Sequence, residues 1–300
     1  MNNQYKKKVD LLLRLIPIIT QEDNLAIHGG TAINLFVANL PRLSIDIDLT
    51  YIPIEDRETS IYTINETLKR IASRVVRQFR DIRIVHKPDL CKLICERSGA
   101  QIKIEVNKTK RGLIGGNAEY YSLCEKATEM FGVEVEARIV SIPQLYGGKI
   151  AAALSRQHPR DIFDIMMMKC SLENLKEGII FNLLGSDRPI YESLEPNIID
   201  QRETMRNQFF GMTDLKFEYD EFEQTRDSLI INVRNLLNKE EREFLVSFEA
   251  GNVNWDSAPY NHLKDYPSVK WKLHNLENLK SHNPAKLKYG ADRLHEILFP

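Results

Sequence analysis

Two aspartates, Asp46 and Asp48, stand two residues apart in the segment RLSIDIDLT. Apolar and polar residues alternate from 43 to 51, which predicts a strand with one buried face. Side chains at positions i and i+2 of a strand point the same way, so the two carboxylates would lie side by side. Mg²⁺ is commonly bound by one or two carboxylates together with phosphate oxygens. The spacing therefore indicates a site that holds Mg²⁺ against a nucleotide phosphate; a solvated strand face is the alternative.

A glycine pair precedes this strand. The sequence predicts a short strand at 25–28, the turn Gly29-Gly30, and a helix over 32–38 with Thr31 as its N-cap. Glycines allow a tight turn and close approach of a phosphate, and a helix N-terminus offers free N–H groups. We therefore expect Gly29, Gly30 and Thr31 to bind nucleotide phosphate. An ordinary strand-to-helix turn is the alternative.

Three further residues could complete such a site. Arg42 and Ser44 lie just before the aspartates, where they could contact phosphate. Glu105 points outward from an alternating strand predicted over 101–106. If that strand lies beside the first, the three carboxylates could hold two metal ions in an in-line arrangement. The alternative is a solvated face formed by Lys103 and Glu105.

The segment KIAAALSRQHPRDIFDI supplies cations and late carboxylates. Lys149 and Arg156 share one face of a predicted helix, where both could bind the nucleotide and Lys149 could meet the β- and γ-phosphates. Asp161 opens the next helix and could orient Arg156 or Arg160; Asp164 is a second candidate one turn later. An ion-pair network between the two helices is the alternative.

Composition bounds the kind of protein. The chain has 300 residues, 43% hydrophobic and 28% charged, with a formal net charge of −1. These values exclude a disordered or fibrous chain and favour two domains. A nucleic-acid partner would need a local basic patch. The candidate patch is a solvated helix face or an RNA-binding surface, and it comprises Lys69, Arg70, Arg74, Arg77, Arg80 and Arg83.

The sequence gives no sign of secretion or membrane insertion. The four cysteines lack zinc-site spacing, which favours buried, reduced thiols in the cytoplasm. Asp10 and Arg14 interrupt the apolar N-terminus, so 5–20 is predicted as an amphipathic helix rather than a signal peptide. No apolar run approaches the ~20 residues of a membrane span.

Periodicity indicates a mixed α/β first domain and a helical second domain. Predicted strands interleave with helices up to about residue 140, and the pattern is mostly helical afterwards. The expected fold is α+β: a mixed sheet with flanking helices over 1–140 and a helical C-terminal domain over 141–300. The other predicted elements are helices at 57–79, from Ser141 to about Arg156, at 222–237 and at 239–248, and strands at 82–86 and 92–96.

These motifs, in this order, resemble the AbiEii/AbiGii-type, MenT-like toxin nucleotidyltransferases of bacterial toxin–antitoxin pairs. The resemblance rests on GGTAINLF, RLSIDIDLT, IKIEVN and GGKIAAALSRQHPRDIFDI, with YPSVKWKLHNLENLKSHNPAKL near the C-terminus. It covers most of the chain. One departure is His28, where the family often has lysine or another residue; we treat His28 as structural.

The resemblance implies roles for individual residues. Asp46 and Asp48 match the family's metal carboxylates, and Ser44 matches its small hydroxyl residue. Lys149 matches the lysine that contacts the triphosphate. Glu105 fits the third carboxylate of the broader superfamily.

The family's late aspartate falls on Asp161 or Asp164. We favour Asp161 because it directly follows an arginine, as in the family's Arg-Asp pattern. The second domain would then contribute both Lys149 and Asp161.

The activity implied by the resemblance is transfer of a nucleoside monophosphate from NTP to an RNA, in particular a tRNA 3′ end, with release of pyrophosphate. Mg²⁺, singly or as a pair, would be the cofactor, and Mn²⁺ could substitute. The partners would be NTP, RNA and a cognate antitoxin. The alternatives are a protein or small-molecule acceptor, or a non-catalytic module that binds nucleotide or a partner.

Overall fold

The computed structural model describes all residues, 1–300. One seven-stranded sheet forms its framework. The strands are β1 (Leu25–His28), β2 (Asp46–Tyr51), β3 (Arg83–Lys87), β4 (Lys92–Arg97), β5 (Ala100–Val106), β6 (Glu119–Ser122) and β7 (Glu136–Ile139). Their order across the sheet is β3-β4-β5-β2-β1-β7-β6. Strand β2 pairs in parallel with β5, β1 pairs in parallel with β7, and the remaining neighbours are antiparallel.

Two long helices cover one face of this sheet. They are α1 (Asn3–Ile19) and α3 (Arg57–Gln78), and both bury an apolar stripe. His86 of β3 contacts Asn65 of α3 through a hydrogen bond of 2.9 Å. Cross-strand pairing places His86 on the same face as Ile104, which is fully buried. The opposite face of β5 carries exposed polar residues, as alternation requires.

The chain divides into two compact units. The first comprises Met1–Ser141 and Arg206–Lys216, and the second comprises Ile142–Met205 and Phe217–Pro300. The first unit holds the whole sheet. Its remaining α-helices are α2 (Gly29–Ala32) and α4 (Glu125–Phe131), and it also contains a π-helix (Ile33–Val37), a 3-10 helix (Pro88–Leu90) and most of a second π-helix (Met205–Phe209).

The second unit is helical. Its α-helices are α5 (Ile142–Arg156), α6 (Pro159–Met166), α7 (Lys176–Leu184), α8 (Ile190–Leu194), α9 (Arg202–Thr204), α10 (Tyr219–Leu236), α11 (Lys239–Glu249), α12 (Pro267–His282) and α13 (Pro284–Leu298). The mixed sheet with flanking helices and a helical unit confirms the predicted fold class. No helix of the structure is both long and apolar enough to span a membrane.

The segment 206–216 returns from the helical part of the sequence to the first unit, which periodicity alone did not predict. It supports the chain that leads into β2. Leu43 N donates to Met212 O at 2.7 Å, and Thr213 Oγ1 donates to Pro41 O at 2.7 Å. These bonds fix the segment that leads into β2, the strand with the two aspartates.

Two predicted helix starts are wrong. Thr31 is not an N-cap, because the chain reverses at Gly29 (φ +70°) and the helix begins there. Asp161 does not open α6 either. That helix begins at Pro159, whose ring suits a first helical turn, and the ring of His158 accepts a hydrogen bond from Arg160 N.

The cysteines are free thiols. Cys91 and Cys95 are buried, and the other two cysteines are partly buried. Burial raises the pKa of Cys95 to about 12, so its thiol is unreactive at neutral pH.

Helices α5 and α7 approach each other so closely that only glycine fits. A Cβ on Gly178 would overlap the carbonyl of Pro143, and one on Gly147 would overlap the backbone of Gly178. Gly178→Ala should therefore lower the free energy of unfolding by about 3 kcal/mol through overpacking, measured by chemical denaturation.

Gly290→Ala is the matched control. Gly290 also lies inside a helix, α13, but its added methyl would meet no atom closer than 3.6 Å. We expect the free energy of unfolding of this variant to stay the same or to rise by up to about 1 kcal/mol, because alanine favours a helix more than glycine does. Equal effects of the two substitutions would disprove the close-packing argument.

Candidate active site

Asp46 and Asp48 lie on the open face of β2. Between them Ile47 is fully buried, whereas Asp48 is exposed and Asp46 is half-buried. Strand β2 lies between β1 and β5, so its two aspartates are near the middle of the sheet. The alternation of the strand thus presents two adjacent carboxylates on one face.

Glu105 stands directly beside Asp48. The parallel pairing of β2 and β5 aligns Asp48 with Glu105 and Asp46 with Lys103. The Glu105 carboxylate lies 2.5 Å from Lys92 Nζ on β4. The structure contains no group of three or more acidic, histidine or cysteine side chains arranged to hold a metal ion. Glu105 thus occupies the sheet position next to the aspartates while its carboxylate pairs with a lysine.

The glycine turn lies against these residues. Gly29 has φ +70°, and a Cβ there would overlap Asp48 Oδ2. A Cβ on Gly30 would lie 2.9 Å from Arg42 Nη2 and 3.0 Å from Ser44 Oγ. Larger residues would therefore push the turn away from the aspartate, the arginine and the serine.

Thr31 holds the turn to the aspartate strand. Its side chain is fully buried, its hydroxyl donates to the carbonyl of Asp46 at 2.5 Å, and it lies 3.1 Å from Ser44 Oγ. The hydroxyl is thus engaged within the protein. Its observed contacts support the backbone of Asp46.

Arg42 and Ser44 are both buried. Arg42 Nη1 donates to the carbonyl of Leu43 at 3.0 Å, while its other terminal nitrogen faces Gly30. A guanidinium brought within reach of a glycine turn can bind an anion through a planar fork. The structure thus brings Arg42 and Ser44 together with the turn.

In the second unit, Lys149 lies between two buried carboxylates. Its ammonium is 2.9 Å from Asp161 Oδ1 and 2.9 Å from Asp164 Oδ2. Arg156 forms a second pair with Asp161 through hydrogen bonds of 2.6 and 3.0 Å. Asp161 therefore has two cationic partners, so the ion-pair network that the sequence left open is present.

The charge of Asp161 depends on these partners. Burial alone would raise the pKa of its carboxyl, but Lys149 and Arg156 together hold that pKa well below its ordinary value. Asp161 is consequently ionised across the physiological range. Both aspartates contact Lys149, and the additional Arg156 contact distinguishes Asp161 from Asp164.

Two lysines lie on the same open face of the sheet as the carboxylates. Lys92 pairs with Glu105, and Lys103 is aligned with Asp46. The alternation of residues along β5 predicts that Lys103 points outward. Lys92 could not be found from the sequence, because its place depends on the register between β4 and β5.

Comparison with known families decides the class of protein. The family model for the nucleotidyl transferase AbiEii toxin of type IV toxin–antitoxin systems matches residues 10–250. The chain belongs to the AbiEii family. It is therefore a nucleotidyltransferase and a toxin of a toxin–antitoxin system, and the family resemblance read from the motifs is confirmed.

A solved structure shares the AbiEii fold seen here. The nucleotidyltransferase toxin MenT4 of Mycobacterium tuberculosis H37Rv matches with a TM-score of 0.62 at 12% identity, covering 91% of this chain and 93% of that chain. A search of curated protein sequences found no match. The structural match thus supports the fold over nearly the full length.

Asp161→Asn tests the buried network of this AbiEii protein. Because the native pKa is depressed, the unfolded chain binds more protons near pH 4, and the ion pairs stabilise the fold above that pH. Their contribution is lost as the pH falls below the ordinary aspartate pKa of about 3.9. The free energy of unfolding of the variant should be lower by about 3 kcal/mol at pH 7. It should also fall less than that of the wild type as the pH is lowered. Urea unfolding at several pH values measures both effects.

Asp10→Asn provides the control, since Asp10 pairs with Arg14 on the surface of α1. Exposed pairs of this kind contribute less than about 1 kcal/mol. If Asp161→Asn behaved like this control, Asp161 would not depend on its two cations.

Proposed function

We propose that this AbiEii-family enzyme transfers a nucleoside monophosphate from NTP to an RNA acceptor, in particular a tRNA 3′ end, with Mg²⁺ as cofactor. One observation carries the proposal: Asp46 and Asp48 lie side by side on an open strand face with the Gly29 turn packed against Asp48. A triphosphate cradled by the turn would then lie beside the two carboxylates.

The donor set fits Mg²⁺. This ion prefers oxygen ligands and usually takes one or two protein carboxylates, filling its other positions with water and phosphate oxygens. Asp46 and Asp48 would hold it, and Glu105 could join them by leaving Lys92. When bound, the metal neutralises phosphate charge and lowers the pKa of the attacking hydroxyl. Mn²⁺ has similar preferences and could substitute.

The chain's own residues would act by position and charge. Asp48 packs against Gly29, and Arg42 and Ser44 lie beside Gly30, so a phosphate bound at the turn would lie next to the aspartate and the arginine. In the proposal Lys149 contacts the triphosphate and Asp161 keeps that lysine charged and oriented. No side-chain nucleophile is needed, because the acceptor hydroxyl attacks the α-phosphate and pyrophosphate leaves.

The partners follow from the family and the reaction. A type IV toxin implies an antitoxin, and the reaction implies NTP. RNA is our choice of acceptor because the motifs resemble enzymes that modify tRNA ends. NTP and tRNA meet in the cytoplasm, which is the compartment we propose.

Asp48→Asn should lower NTP-dependent labelling of bulk bacterial tRNA by at least about 100-fold. The amide keeps the shape of the side chain but removes the charge that the metal needs. Melting should be unchanged, since Asp48 is exposed on the strand face. Labelling is measured with each of the four α-³²P NTPs.

Asp89→Asn is the control, because Asp89 is an exposed carboxylate outside the site. Full labelling by Asp48→Asn would disprove the metal assignment. Labelling of total protein instead of RNA would show that the acceptor is a protein. NTP binding by calorimetry without pyrophosphate release would indicate a binding module.

A further inference from the structure

The sheet face that carries the aspartates continues outward across three more strands. Cross-strand pairing aligns Asp48 with Glu105 on β5, Glu105 with Lys92 on β4, and Lys92 with Lys87 on β3. Paired residues place their side chains on the same face. Lys87 is exposed on the outermost strand, about 14 Å from Asp48 at three strand spacings of ~4.8 Å.

A second row runs beside the first. Asp46 is aligned with Lys103, Lys103 with Ile94, and Ile94 with Val85. Lys103 is exposed, Ile94 is half-buried, and Val85 is 37% exposed. Arg83, two residues before Val85 on β3, is exposed on the same face.

We infer that this open face of β3, β4 and β5, here called the lysine face, binds the RNA acceptor strand and guides its end to the aspartates. The inference rests on the proposed function and adds the path of the acceptor. Arg83, Lys87 and Lys103 contact backbone phosphates, while Val85 and Ile94 offer an apolar strip to a ribose or base.

Charge favours an RNA strand as the occupant. Two carboxylates share the lysine face: Glu105, which pairs with Lys92, and the exposed Glu96 of β4, which is aligned with Arg83. Against them stand four cations, Arg83, Lys87, Lys92 and Lys103, so the face is net positive and attracts a polyanion. Phosphate contacts of this kind fix position without reading sequence, which suits the recognition of a common RNA end.

The basic residues of α3 do not provide such a path. Helix α3 covers the opposite face of the sheet, as the contact between Asn65 and His86 shows. Arg70 and Arg74 are also paired with the buried carboxylate of Glu22, at 2.7 and 2.5 Å. These arginines therefore anchor α3 within the fold.

The double variant Arg83→Ala/Lys87→Ala tests the lysine face. Both residues are exposed and lie three strands from the aspartates. With bulk bacterial tRNA as the probe, we expect the KM for tRNA to rise about tenfold and the slope of log affinity against log salt to fall by about 1.4 for two lost contacts on a single strand. The kcat at saturating tRNA and the KM for NTP should not change.

Two further variants make the result specific. Arg83→Lys/Lys87→Arg keeps the charges and should restore the KM for tRNA. Arg77→Ala/Arg80→Ala removes two exposed cations at the end of α3 and beyond it and should leave the KM unchanged.

The outcomes separate the two proposals. Asp48-dependent labelling of RNA with an unchanged KM and salt slope in Arg83→Ala/Lys87→Ala would overturn the lysine face alone. A raised KM in Arg77→Ala/Arg80→Ala instead would place the RNA on α3. No RNA labelling by the wild-type enzyme would refute the proposed function and this inference with it.

Discussion

The register of β2 within the sheet is the constraint on which the site depends. A shift of one residue would turn Asp46 and Asp48 toward the covered face and expose Ile47, because strand side chains alternate. Burial of Ile47 and the hydrogen bond from Thr31 to the carbonyl of Asp46 oppose that shift. The same register sets Glu105 beside Asp48. The hydrophobic core thus determines where the chemistry can occur.

Three carboxylates on neighbouring positions repel one another, and lysines of the first unit offset part of this repulsion. Lys92 lies against Glu105, and Lys103 is aligned with Asp46. A lysine is a compact cation on a flexible stem that can move away when another cation arrives. This arrangement reduces the repulsion between the three carboxylates in the protein alone.

The sequence predicted most strands and long helices because each had a clear period of its own, as β5 and α3 show. It predicted less where structure depends on distant contacts. The edge strand β6 and its neighbour β7 are four residues each, too short to show a period. The return of 206–216 to the first unit depends on bonds to Pro41 and Leu43. For the site, residue types and alternation indicated Asp46, Asp48 and Glu105, but only pairing register revealed Lys92.

The buried network of the second unit limits what Lys149 can do. Lys149 and Arg156 carry two positive charges, and Asp161 and Asp164 carry two negative charges, so the four groups are neutral together. A triphosphate approaching Lys149 would bring excess negative charge into a buried environment, where unpaired charge is costly. The ammonium can therefore contribute only if a carboxylate yields its place or a cation arrives with the nucleotide. Under the proposed function, a nucleotide bound together with a divalent metal would meet the second condition.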